Sequence, residues 1–79
     1  MPAEQDKAVA AQIADFDQAI DVIERAQKWN DGRALARAIA QARITLYTVS
    51  RHLEHMQPNA NQSAMIDERM DRLARWLGE

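Results

Sequence analysis

Apolar residues recur along this chain at alternating steps of four and three, in three runs separated by two clusters of turn residues. Val9, Ile13, Phe16, Ile20 and Ile23 occupy such positions in the first run, with Gln27 next in line. Leu35, Ile39, Ala42, Leu46, Val49, Leu53 and Met56 do so in the second without a polar interruption, and Ile66, Met70, Leu73 and Leu77 in the third. This alternation puts each set on one stripe of a helix, the seam by which helices pack side by side. Between the runs, Asn30-Asp31-Gly32 offers a glycine for a left-handed helix end and Asn or Asp as a cap for the second helix. Pro58-Asn59-Ala60-Asn61 is the second break, and Gly78 closes the last run. The pattern predicts helices over about 3–29, 32–57 and 61–77 within one domain spanning 1–79.

Short connections make consecutive helices antiparallel, so the expected fold is all-α, an antiparallel three-helix bundle: a long helical hairpin plus a shorter third helix. Counting outward from the turns puts Val9 with Leu53 and Ile66, Ile13 with Val49 and Met70, Phe16 with Leu46 and Leu73, and Ile20 with Ala42 and Leu77. The third helix then ends while the first two continue, leaving Ile23, Leu35 and Ile39 without a third neighbour, with Trp29 at the same end. Burying such side chains is worth about 1.5–3 kcal/mol each, a large share for a small core. Trp29 and Trp76 folding over the end, a second copy of the chain or a foreign partner could cover them.

The second helix also has more apolar surface than one seam needs. On a wheel of about 100° per residue, Ala36, Ala40, Ile44 and Tyr47 fall well away from the core stripe, with Arg37 and Arg51 beside Ile44. A helix apolar on more than its core stripe is usually packed on two sides. Ala36, Ala40, Ile44, Tyr47 and Arg51 are therefore the candidate contact strip, joined by Ile23, Leu35, Ile39 and Trp29 at the uncovered end.

Composition supports helices. The chain has 79 residues, 47% of them hydrophobic, yet 15 are Ala, which favours helix and buries little area; there is no Cys, and only two Gly and two Pro. Stability must come from packing alone or with a partner. The net charge of −2 is unevenly spread. Residues 1–31 carry seven acids and three bases, 32–57 one acid and four Arg, and 58–79 four acids and three Arg. An acidic first helix can thus lie against a basic second one. No apolar run approaches a membrane span and MPAEQDK does not read as a signal peptide, so a cytoplasmic protein without membrane contact is expected. Eight Arg against two Lys suggest a GC-rich bacterial genome or its phages.

No residue set reaches a catalytic signature. His52 and His55 lie three apart with no third ligand in pattern, and the zincin arrangement is absent, so no metal or other cofactor is expected. Asp17, Asp21 and Glu24 form an acidic stripe beside the first seam, where water rather than burial surrounds them, which argues against general acid–base chemistry. Asp21–Arg25 and Glu24–Lys28 make ordinary i, i+4 pairs. Arg69, Arg72 and Arg75 alternate with acids that repel phosphate, so direct nucleic-acid binding is not expected, and Arg72 is placed to stack on Trp76. Ser50 and Ser63 sit in no nucleophile elbow, and Gly32 and Gly78 make no phosphate loop.

The expectation is a non-enzymatic helical protein–protein interaction module that self-associates, as a homodimer, and occupies a partner's surface. The alternative is a stand-alone acidic inhibitor of the phage anti-defence kind, such as an anti-CRISPR, which would set the Asp17/Asp21/Glu24 stripe into a basic nucleic-acid-binding protein.

Overall fold

The computed structural model describes the backbone of residues 2–78 and the side-chain surroundings of residues 6–78. Three helices run in order, α1 (Pro2–Lys28), α2 (Gly32–Leu53) and α3 (Ala60–Leu77), with no strand among the described residues. At 1.5 Å per residue, the 27 residues of α1 account for most of the 44 Å long axis.

The first turn uses its residues differently from the expectation. Asn30, not Gly32, takes the left-handed conformation (φ 55°), and its N–H donates to the Gln27 carbonyl. Asn tolerates this backbone better than most residues do. Asp31 then caps α2, its Oδ1 accepting from the Ala34 N–H at 3.0 Å, and Gly32 is the first helical residue. At the second break, Asn59 and Gln62 form a reciprocal capping box at the start of α3, satisfying two otherwise orphan donors. Gly78 ends α3 in the left-handed region (φ 77°), as its position suggests.

Helix α2 stops at Leu53, earlier than expected. The His55 and Met56 N–H groups donate to the carbonyls of His52 and Leu53, three residues back, so the chain tightens out of α-helix before Pro58. Met56 still packs against the core.

One hydrophobic cluster joins the helices, and Phe16, Ile23, Leu73 and Val9 are its largest fully enclosed side chains. Grooves between α1 and α2 are lined by residues 15–22 with 41–49, and by residues 22–29 with Ala34, a reversed register. Between α1 and α3 the polar contacts run in the same sense: Gln62 to the Asp6 carbonyl, Arg69 to Asp17, Arg72 to Glu24. These contacts are those of an up-down-up order.

The helices do not share the core equally. Helix α1 buries its whole seam, Val9, Ile13, Phe16, Ile20 and Ile23, together with Ala26. Helix α2 buries only Ala38, Ala42 and Val49, while Leu35, Ile39, Leu46 and Leu53 are half-buried. Ala38, Ala42, Thr45 and Val49 keep the four-three-four alternation. The most buried stripe of α2 is therefore rotated by roughly 40° from the leucine seam, toward α1. Small side chains at 38 and 42 lie in that enclosed stripe, while the leucine row is only half-buried, and α3 packs less extensively on α2 than on α1.

The end expected to lie open is largely closed. Ile23 is fully buried, which removes it from any candidate interface, and Leu35 and Ile39 are packed against the cluster. Trp76, in the last turn of α3, also packs against it, whereas Trp29 is 76% exposed and covers little.

Candidate functional site

The candidate strip lies in the open. Ala36, Ala40 and Arg51 are exposed, Ile44 is 58% and Tyr47 65% exposed, and all belong to α2. Their order comes from the helix itself: Arg33, Arg37, Ala40, Ile44, Tyr47 and Arg51 step by four and three along the side of α2 away from its buried stripe. This second seam has apolar side chains at its middle and Arg at its ends. Arg51 Nη1 donates to the Tyr47 hydroxyl at 3.1 Å, and its guanidinium lies over the Tyr47 ring, 5.7 Å from the centroid. The cation–π pair is thus Arg51–Tyr47, one turn apart on the strip, and not the expected Arg72–Trp76.

Ile44 also reaches a shallow groove between α1 and α2 of about 360 Å³, lined by Asp15, Gln18, Ala19, Val22, Gln41, Thr45, Thr48 and Val49. Val22, 45% exposed, is shared with the next groove, where Trp29 and Ala34 lie. The exposed apolar residues Trp29, Val22, Ile44 and Tyr47 thus succeed one another along the hairpin. Val22 escapes the sequence pattern because it lies beside the Ile23 seam position; only its exposure in the fold gives it a place on this surface.

The acidic stripe is engaged within the chain. Asp17 accepts from Arg69 Nε at 2.8 Å, Glu24 from Arg72 Nη2 at 2.8 Å, and Asp21 pairs with Arg25 at 3.0 Å. Glu68 accepts a hydrogen bond from Arg69 and lies within ion-pair range of Arg72, at 3.7 Å. The hydrogen bond from Arg69 to Asp17 is the main cause holding that guanidinium above its ordinary pKa. Only Asp21–Arg25 among the expected helical pairs is present, since Glu24 turns to α3 instead of to Lys28. Among the described residues no ion pair joins α1 to α2, so the acidic and basic helices are neighbours without the expected charge pairing. Two of the three acids are thus matched by Arg from α3 and the third by Arg25 of α1, while all three carboxylates remain about half exposed.

His52 and His55 are exposed and share a shallow surface with Tyr47, Thr48 and Arg51. Among the described residues no group of three or more His, Asp or Glu is placed to hold a metal ion, and no helix is long and apolar enough to cross a membrane. What the surface offers is shape, apolar area and charge.

The fold and this surface describe a small three-helix protein with one helix exposed along a second seam. Searches found no matching family model, curated protein or solved structure.

Proposed function

We propose that this protein is a non-catalytic helical interaction module that works by docking another macromolecule on the exposed strip of α2. The observation that carries the reading is the second heptad seam, in which Ile44 and Tyr47 stand exposed between Arg37 and Arg51. Tyr and Arg are enriched where protein interfaces concentrate their binding energy, and a single apolar helix face is a common docking element. A homodimer through this face, or another protein seated on it, both satisfy the reading.

A photo-crosslinking residue at position 44, compared with one at the exposed Asp71 of α3, tests it in cells that express the chain. Position 44 is expected to give a defined protein adduct and position 71 none. An adduct at twice the 9.0 kDa chain mass is a homodimer. No adduct at 44, or the same adducts from both positions, rejects the strip as the working surface. Ile44→Glu should remove the interaction while changing folding stability by no more than about 0.5 kcal/mol, as for surface substitutions generally.

A further inference from the structure

We infer that the occupant of the α2 strip is an acidic amphipathic helix of a different protein. This rests on the module reading above and adds the shape and charge of what is bound.

Helix α2 contains Arg33, Arg37, Arg43 and Arg51 and not one acidic residue. Among the described residues none of these four enters an ion pair, nor does the exposed Arg75 of α3, whereas Arg25, Arg69 and Arg72 are each held by carboxylates. Arg33, Arg37 and Arg51 lie on the strip itself, and Arg43 borders its α3 side. Unpaired guanidinium groups flanking an apolar centre fit a ligand with an apolar stripe bordered by carboxylates, which Arg can engage through paired hydrogen bonds. The four-three spacing of the strip suits a helix lying alongside, its own seam meeting Ala40, Ile44 and Tyr47.

The same charges oppose the other occupants. In an antiparallel pairing of two copies centred on the strip, Arg33 of each would face Arg51 of the other. In a parallel pairing every Arg would face its own equivalent. Within α2 no acid offsets either arrangement; the nearest are its cap residues Asp31 and Glu54, one beyond each end of the Arg row, and Asp15 across the groove from Ile44. Like charges brought together at an interface are costly. Nucleic acid is disfavoured because Ile44 and Tyr47 occupy the centre of the strip while the chain as a whole carries −2.

The test is fluorescence anisotropy with labelled amphipathic peptides as long as the 22 residues of α2. One carries a leucine seam flanked by Glu, the other the same seam flanked by Lys. The Glu peptide should bind at least about tenfold more tightly than the Lys peptide and lose affinity as salt rises. The double variant Arg37→Glu/Arg51→Glu should weaken binding by about tenfold, and Ile44→Glu should abolish it. Equal binding of the two peptides, binding of neither, or tighter binding of a labelled DNA duplex overturns the inference. So does a dimer in sedimentation that Ile44→Glu dissociates; in that case the module reading survives and only the occupant is wrong. Absence of any adduct from position 44 in cells removes both.

Discussion

Helices α1 and α2 have similar patterns on paper and different fates in the fold. Helix α1 is central: its seam is enclosed by both neighbours, and Asp17, Asp21 and Glu24 are each matched by an Arg. Helix α2 encloses mainly small residues, Ala38, Ala42 and Val49, leaves its leucine row half-buried, and keeps four Arg and a second apolar seam outside. The helix that makes the fold is therefore not the one with surface to spare. A residue whose removal would unfold the bundle is badly placed to bind a partner, and α2 is the helix on which enclosed and exposed apolar stripes lie apart.

The sharpest break of this contrast is at the core. Phe16→Ala should destabilise by about 3–5 kcal/mol, because an enclosed aromatic leaves both lost transfer energy and a cavity. Leu46→Ala, at the half-buried row of α2, should cost clearly less. Urea denaturation of the two variants decides it, and an equal loss would mean that α2 is as fully enclosed as α1. The rotated stripe of α2 comes next. Ala42→Leu adds bulk where α2 closes on α1 and should cost about 1–3 kcal/mol through overpacking, while the same change at the exposed Ala40 should be close to neutral. Thermal melts that rank these two in the opposite order would place the α1 contact on the wrong side of α2. The smallest effect concerns Gln12 Oε1 on α1, the one side-chain polar atom buried without a partner among the described residues. Replacing this Gln by Leu removes an unpaired acceptor from the packed side of the helix and should raise stability by about 1 kcal/mol. A lower denaturation midpoint for Gln12→Leu would show that water or a neighbour serves that oxygen in solution.

Much of the fold is legible in the sequence because the four-three alternation is a local signal. The three helices, an Asn or Asp cap ahead of α2, the end of α3 at Gly78 and nearly the whole α1 seam can be read from residue types at fixed offsets. The points of difference share a cause: each depends on what lies across a gap. Met56 continues the seam and so reads as helical, although the chain leaves α-helix before it and only its side chain reaches the core. Ile23 reads as bare when every residue is taken to meet its partner at the same height, yet it is enclosed. Glu24 has Lys28 one turn away on the same helix, but Arg72 approaches it from α3. On the candidate surface, Ile44 and Tyr47 stand out through their wheel positions, whereas Val22 joins them only because the hairpin brings that part of α1 beside α2.

By itself the sequence determined an all-helical chain with two turns, a heptad stripe on each helix and a second apolar stripe on α2, since each is a matter of residue type and spacing along one helix. Only the tertiary structure decided which stripe of α2 is buried, because helix rotation depends on what packs across from it, and the residues enclosed are Ala38, Ala42 and Val49. It also decided which charges are satisfied, because an ion pair needs two helices at a definite height. The consequence is an uneven distribution of charge pairing: Asp17 and Glu24 of α1 are matched by Arg on α3 and Asp21 by Arg25 on α1 itself, whereas among the described residues the Arg residues of α2 enter no ion pair.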